Sequence, residues 1–192
     1  MNVCIMGERS EETVKEITLC KPEGFADWLR LWWLYMEAFP ASERKPFSMI
    51  LKMHSAGKTD VWCLMEQGAF RGLAITINSP ELVLLDYFAV CKEHRGTGVG
   101  HGAIPAILRQ YQDRGVFLEI EDPELPGEDQ PMRRRRKVFY RSCGLEELGV
   151  KAVLFGVPME LLGVRCAMSF EKYRSFFREH YDPWVAEHVT ES

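Results

Sequence analysis

The sequence predicts a single α/β domain (α+β mixed sheet), with an antiparallel meander and one parallel strand pair flanked by helices. The stretch Leu82–Gln110 predicts this arrangement, because an apolar run typical of a buried strand precedes a glycine-dense turn and an amphipathic helix. A helical crossover of this length returns the chain parallel to the first strand. The 192 residues suit one domain, expected to cover 1–192 with a core at about 14–166.

Tight turns and polar loops separate the elements before this stretch. The predicted elements are, in order, a strand at Val14–Leu19, a helix at Phe25–Phe39, a short helix at Phe47–His54, and hairpin strands at Thr59–Glu66 and Phe70–Asn78. The apolar residues of the first helix cover more than one face. Most of its aromatic side chains are therefore expected in the core, and the alternative is that one or two line a substrate pocket.

The elements after the crossover helix complete the sheet and cover it. They are a strand at Val116–Glu121, a helix at Met132–Cys143, closing strands at Leu148–Phe155 and Met159–Val164, and a last amphipathic helix at Phe170–Tyr181. The aromatic stripe of the last helix is expected to pack against the sheet. A homodimer contact is the alternative.

Composition and charge exclude several classes of protein. The net charge of −4 argues against a broad nucleic-acid surface. None of the six cysteines forms a C-x-x-C pair, so we expect free thiols in a reducing cytoplasm and no metal. We also expect no signal peptide, because the N-terminus carries Glu8, Glu11 and Glu12 and lacks a basic segment followed by an apolar one. No membrane span is expected either, because no apolar run reaches about 18 residues.

The glycine-dense turn has the features of a pyrophosphate site. Its residues are Arg95, Gly96, Thr97, Gly98, Val99 and Gly100. Glycines allow backbone N–H groups to face one concavity, and the helix start adds free N–H groups and a positive dipole end. The dinucleotide fingerprint G-x-G-x-x-A also fits, but that turn normally follows the first strand of a doubly wound sheet.

Two motifs and the order of elements resemble the GNAT superfamily of N-acetyltransferases over nearly the whole chain. R-x-x-G-x-G, after a strand ending in Phe88-Ala89-Val90, resembles the coenzyme A signature of that family. The segment Phe139–Leu145, FYRSCGL, resembles its F-Y-x-x-x-G-F motif, with leucine in the last place. Arg133 stands where the family pattern has an asparagine, so a contact that needs that asparagine is not carried over.

This resemblance implies acetyl-CoA as cosubstrate and assigns roles to particular residues. The family splays its parallel strands, so the backbone of Phe88, Ala89 and Val90 is expected to pair with the pantetheine amides. The glycine turn is expected to hold the pyrophosphate. Tyr140 corresponds to the family tyrosine that lies near the thioester sulfur and is the candidate to protonate the leaving thiolate.

Acetyl transfer to an amine also needs a base, because an alkyl ammonium has a pKa of about 10.4. Strand alternation predicts that Asp86 shares a face with Phe88 and that Glu119 and Glu121 share a face of the next strand. Glu121 lies nearest the strand end, so Glu121 and Asp86 rank above Glu119. For each carboxylate the alternative is a structural ion pair.

The basic run Arg133–Lys137 covers all sides of its predicted helix and is expected to be solvated and salt-bridged. Contacts with the acidic loop before it, with a coenzyme A phosphate, or with RNA are the alternatives. The sequence as a whole predicts transfer of acetyl from acetyl-CoA to a small-molecule or peptide amine by direct attack in a ternary complex. The rival interpretations are a coenzyme A-binding module without turnover and a nucleic-acid-associated protein.

Overall fold

The computed structural model describes residues 15–192, and this part of the chain contains an eight-stranded mixed sheet with helices on both faces. The strands are β1 (Thr18–Cys20), β2 (Thr59–Glu66), β3 (Ala69–Asn78), β4 (Leu82–Val90), β5 (Gly115–Glu121), β6 (Glu146–Leu154), β7 (Val157–Val164) and β8 (Val189–Glu191). The helices are α1 (Gly24–Ala38), α2 (Phe47–Ser55), α3 (Val99–Gln110), α4 (Gln130–Ser142), α5 (Phe170–Phe176) and α6 (Pro183–Glu187). The strand order is β1-β2-β3-β4-β5-β7-β6-β8.

The predicted parallel pair is confirmed at the centre of the sheet, where β4 and β5 are neighbours. Their pairing covers only three residue pairs, from Leu82 opposite Gly115 to Leu84 opposite Phe117. Both strands continue beyond that point, β4 to Val90 and β5 to Glu121, without pairing to each other. We call the gap between them the splay. It leaves one backbone edge of β4 open, as the family resemblance implied.

A β-bulge lies on β4 where the splay begins. The register between β3 and β4 shifts there, so that Asp86 has no partner on β3. An extra residue reverses the alternation of side chains along the strand. Phe88 and Val90 pack with α3 and α4, whereas Asp86 bonds to Lys45 on the opposite face. The expectation that Asp86 shares a face with Phe88 is therefore wrong, because simple alternation does not hold across a bulge.

The core lies on both faces of the sheet. One cluster packs α3 and the end of α4 against the sheet, with Val99, Ile104 and Ile107 fully buried. The opposite face is covered by α1 and α2 at one end and by α5 and α6 at the other. Within residues 15–192, no helix combines the length and apolar character needed to span a bilayer.

The aromatic side chains of α1 differ from expectation. Tyr35 is fully buried, but Phe25 and Trp33 are 81% and 62% exposed and Trp32 is also exposed. The sheet contacts only one side of this helix, and Leu31, Leu34 and Tyr35 fill that side. Helical periodicity identifies two apolar faces here but does not say which one meets the sheet.

The two ends of the chain also differ in detail from the prediction. The predicted last helix is α5 followed by a π-helical turn at Phe177–Tyr181, and its aromatic stripe packs against the sheet as expected. Beyond it lie α6 and β8, which the sequence pattern does not reveal. At the start, β1 covers Thr18–Cys20, and Val14 of the predicted strand lies outside the described residues. The described cysteines, at 20, 63, 91, 143 and 166, are free thiols.

Candidate active site

The glycine turn connects β4 to α3 at one end of the splay. Gly98 precedes the first residue of α3 and has a φ of 88°, and Gly96 has a φ of 73°, both in the left-handed region that favours glycine. Among residues 15–192, a Cβ at Gly98 would meet only the Lys15 side chain, at 3.8 Å, so its outer side is open to this part of the chain. The first-turn N–H groups of α3 have no partners within the helix. The turn therefore presents the backbone donors that a pyrophosphate group requires.

Gly100 and Gly102 allow α3 to pack closely against its neighbours. A Cβ on Gly100 would lie 3.0 Å from the Phe139 ring of α4, and one on Gly102 would lie 2.1 Å from the Lys15 carbonyl oxygen. Gly100 thus allows α4 to approach α3, rather than only leaving room for a phosphate. The sequence pattern does not single out Gly102, although an isolated glycine inside a helix is a usual sign of close packing.

Side chains of the turn fasten it to the end of β4. The Nε of Arg95 donates to the Val90 carbonyl oxygen at 3.1 Å, and the Thr97 hydroxyl donates to the His94 carbonyl oxygen at 2.8 Å. Arg95 is exposed, so its charge stands at the lip of the turn. Val99 contributes its backbone only, since its side chain is fully buried.

The open edge of β4 offers backbone groups next to this turn. The Cys91 N–H donates to the Arg71 carbonyl oxygen on β3, at 2.8 Å. Because antiparallel pairs alternate, Ala89 also points its backbone groups at β3, and Phe88 and Val90 point theirs into the splay. The expected pantetheine contacts stay a prediction, and the geometry assigns them to Phe88 and Val90.

Tyr140 lies on α4 beside the same edge. Its ring packs with the α3 side of the core, 5.0 Å from the Phe139 ring, and Phe139 in turn stacks on Phe88 of β4 at 6.4 Å. Burial raises the pKa of Tyr140 to about 12, although the charge of Arg136 opposes the rise. The hydroxyl is therefore protonated at neutral pH and can act as a proton donor.

Glu119 is a carboxylate on the other face of the splay. The Tyr173 hydroxyl of α5 donates to its Oε1 at 2.5 Å. Burial raises the pKa of Glu119 to about 7, the Asp86 charge adds to this rise, and the Tyr173 hydrogen bond and Lys45 oppose it. Its side chain is still partly exposed. Glu119 thus has the properties of a proton acceptor matched to neutral pH.

Asp86 is held in an ion pair. Lys45 Nζ lies 2.8 and 2.7 Å from its two carboxylate oxygens, and the Asp86 side chain is only 11% exposed. The same ammonium lies 4.2 Å from the centre of the Tyr181 ring. The alternative considered for this carboxylate, a structural ion pair, is therefore what the structure contains.

Glu121 and Glu43 lie near each other at the mouth of the splay. Glu121 pairs loosely with Arg133 and Arg136 of α4, at 3.7 and 3.9 Å. Burial raises the pKa of Glu43, the negative charge of Glu121 raises it further, and Arg136 opposes the rise. The sequence pattern marks Glu43 only as part of a polar loop between two helices, so its place near the splay is not predictable from that pattern.

Two buried tyrosines fix the loop that carries Glu43 and Lys45. The Tyr35 hydroxyl donates to the Lys45 carbonyl oxygen at 3.0 Å, and the Tyr87 hydroxyl donates to that of Glu43 at 2.8 Å. The Lys45 N–H donates to the Tyr87 oxygen at 3.2 Å. Both tyrosine rings are buried, so the loop backbone is tied to the core.

The basic run on α4 is salt-bridged, as expected. Arg134 pairs with Glu124 of the preceding acidic loop at 2.8 Å, and Lys137 pairs with Glu160 of β7 at 2.8 Å. Arg133 donates to a loop carbonyl oxygen, and its Nε is buried with no hydrogen-bond partner among residues 15–192. Most of the positive charge of this run is thus neutralised within the protein.

Two comparisons with known proteins found no match. No protein-family model matches the sequence, and no curated protein matches it.

Solved structures do match. A protein described as a GNAT-family acetyltransferase, from Bacteroides thetaiotaomicron, has 16% identity and a TM-score of 0.73, over 87% of this chain and 98% of its own. Arabidopsis thaliana Naa50 with the bisubstrate analogue CoA-Ac-MVNAL has 13% identity and a TM-score of 0.59, over 79% and 99%. A spermidine N-acetyltransferase chimera of Vibrio cholerae and hSSAT has 15% identity and a TM-score of 0.58, over 78% and 94%. The chain therefore has the fold of the GNAT acetyltransferases, as its motifs implied.

Proposed function

We propose that the protein is an N-acetyltransferase that moves the acetyl group of acetyl-CoA to a primary amine by direct attack in a ternary complex. The observation that carries this proposal is the splay itself. The gap has a glycine-dense turn at the start of α3 at one end, a protonated tyrosine on one face and carboxylates on the other. These are the groups that acyl transfer to an amine requires.

The residues around the splay fit acetyl-CoA. The left-handed glycines at Gly96 and Gly98, with the N-terminus of α3, suit a pyrophosphate, and Arg95 supplies a charge at the lip. The backbone groups of Phe88 and the N–H of Val90 face the splay and suit an amide-bearing chain that lies along β4 as an additional strand, whereas the Val90 carbonyl oxygen already accepts from Arg95.

Three groups of this chain would assist the transfer. Backbone N–H groups at the bulge around Asp86 would stabilise negative charge developing on the acyl oxygen. Glu119 would take a proton from the ammonium, directly or through water, so that the amine becomes nucleophilic. Tyr140 would donate a proton to the sulfur as the C–S bond breaks.

The choice of base depends on how each carboxylate is held. Asp86 is occupied by Lys45, whose Nζ lies within hydrogen-bond distance of both of its carboxylate oxygens. Glu121 lies at the mouth with Arg133 and Arg136. Glu119 has a pKa of about 7 and a partly exposed side chain. We therefore place Glu119 first as base, although the sequence ranks it last, and assign Glu121 to the acceptor entrance.

The acceptor is an amine that enters from the carboxylate side. Glu43 and Glu121 at the mouth would attract a positively charged molecule. The similar structures include a spermidine N-acetyltransferase and a complex with CoA-Ac-MVNAL. Polyamines and peptide amines both belong in the first screen.

The test has two stages. Calorimetry measures acetyl-CoA binding by the wild type, by Gly98→Val and by Gly57→Val, a control that places the same strain on a left-handed glycine in open space between α2 and β2. A thiol-release screen then covers polyamines, amino acids, peptide N-termini and lysine peptides. We expect acetyl-CoA binding that Gly98→Val weakens at least about tenfold, and turnover with at least one class of amine.

Each contrary result has a distinct meaning. Binding without thiol release from any amine would identify a coenzyme A-binding module without turnover. An absence of acetyl-CoA binding would refute the proposal at its first step, and salt-dependent RNA binding would then favour the nucleic-acid interpretation.

A further inference from the structure

Lys45 places a primary amine of the protein at the splay. Its Nζ is one hydrogen bond from Asp86, the bulge residue, at the point where β4 leaves β5. The charges that surround it are Asp86 and, farther away, Glu119. The Tyr181 ring lies at 4.2 Å, and the Lys45 side chain is 20% exposed. A carboxylate together with an aromatic face is the usual binding arrangement for an alkyl ammonium group.

This position coincides with the one that an acceptor amine would need. The proposed acetyl-CoA groups lie at the open edge of β4 and on the α3 side, and the carboxylates lie on the other face. Lys45 reaches the splay from that second face, on a loop whose backbone is fixed by Tyr35 and Tyr87. The loop contacts and the ion pair with Asp86 therefore hold the Lys45 amine in a fixed position at the splay.

We propose that Lys45 is a self-acetylation site, an internal acceptor whose Nζ takes the acetyl group from acetyl-CoA bound to the same molecule. The proposal rests on the proposed function, because it uses the same thioester site. It assigns a covalent modification to a residue that would otherwise serve only as the partner of Asp86.

The chemistry balances without any further reactant. The Lys45 ammonium loses one proton to a neighbouring carboxylate, and the resulting amine attacks the acyl carbon. A C–N bond forms, the C–S bond breaks, and the nitrogen loses a second proton. The products are Nε-acetyl-lysine, free coenzyme A thiol and one proton released to solvent. The positive charge that balances Asp86 is lost in the process.

Lys21 is a matched control within the same chain. Its Nζ also pairs with a carboxylate, that of Asp60, and lies 3.8 Å from the centre of the Trp62 ring. It sits next to the edge strand β1, away from the splay, and its side chain is 45% exposed. Non-enzymatic acetylation by acetyl-CoA would therefore modify Lys21 more readily than Lys45.

The experiment incubates the purified full chain with acetyl-CoA and no added amine. Intact mass and peptide mapping follow acetylation at Lys45 and Lys21 over time, at several protein concentrations. The variants are Lys45→Arg, which keeps the charge beside Asp86, and Gly98→Val. We expect acetylation of Lys45 to exceed that of Lys21 by about tenfold or more, at a rate independent of protein concentration. Lys45→Arg should lack the fast modification, and Gly98→Val should lose it while Lys21 still reacts slowly.

Other outcomes overturn the inference in distinguishable ways. If added amines are acetylated but Lys45 reacts no faster than Lys21, the inference is wrong and the proposed function stands. A Lys45 rate that rises with protein concentration would show transfer between molecules and would contradict the internal route. If the wild type does not bind acetyl-CoA, both the inference and the proposed function fail.

Discussion

Replacing Glu119 by glutamine should stabilise the protein and inactivate it at the same time. Glutamine preserves the shape of the side chain and still accepts the hydrogen bond from Tyr173, but it removes the carboxylate. If Glu119 is the base, thiol release at neutral pH should fall by about 100-fold or more. Enclosure by protein groups makes the charged form of Glu119 unfavourable, so the same change removes a source of instability.

The size of the stabilisation follows from the pKa of Glu119. The rise from the ordinary value of 4.5 to about 7 corresponds to about 3 kcal/mol. Between these two pH values the folded protein binds more protons than the unfolded chain, so wild-type stability falls as pH rises through the window. The stability conferred by the protonated carboxyl is complete below the window and lost above it. Glu119→Gln should therefore exceed the wild type by up to about 3 kcal/mol above the window and match it below.

Urea unfolding of the wild type and Glu119→Gln, at one pH below the window and one above, measures this difference. Glu121→Gln is the matched control, since its side chain is 35% exposed and loosely paired, and its stability should change little at either pH. If the free energy of unfolding of Glu119→Gln equals that of the wild type at the higher pH, the charged carboxylate is well stabilised and the expected pKa is wrong. If it also keeps full turnover while Glu121→Gln loses it, the base is Glu121.

Three further predictions concern single residues. Tyr140→Phe should lower kcat about tenfold, roughly 1.4 kcal/mol, with nearly unchanged acetyl-CoA affinity. Steady-state kinetics and calorimetry measure these two quantities, and an unchanged kcat would show that the ring only packs. Gly98→Val should weaken acetyl-CoA binding at least about tenfold by calorimetry, because its φ of 88° favours glycine and a valine side chain would fill the open space proposed for the pyrophosphate. Equal weakening in Gly57→Val would point to a general effect on the fold. Gly102→Ala should destabilise the protein by about 1 to 3 kcal/mol in urea unfolding, since the new Cβ would lie 2.1 Å from the Lys15 carbonyl oxygen. Helix propensity alone would instead raise the free energy of unfolding by about 1 kcal/mol, and that result would contradict the contact.

Features that depend on neighbours in the sequence were predictable. The strand, glycine turn and helix of Leu82–Gln110 follow from local periodicity and from the backbone freedom of glycine, and the crossover length requires β4 and β5 to be parallel. The motif singled out Tyr140, and the structure places it on α4 beside β4; its catalytic role stays a prediction. The bounds of most strands and helices agree with the pattern to within a few residues.

Features that depend on contacts between distant segments were decided by the tertiary structure alone. Simple alternation predicts that Asp86 and Phe88 share one face of the sheet. The bulge places their side chains on opposite faces, and only the pairing with β3 reveals the extra residue. The ion pair between Asp86 and Lys45 and the hydrogen bond from Tyr173 to Glu119 join segments far apart in sequence, so the sequence pattern does not reveal these partners. The sequence alone determined that a glycine-dense turn lies beside a parallel strand pair with acidic residues. The tertiary structure decided how each of those acidic residues is buried and paired, because burial and charge partners come from the packing of distant segments.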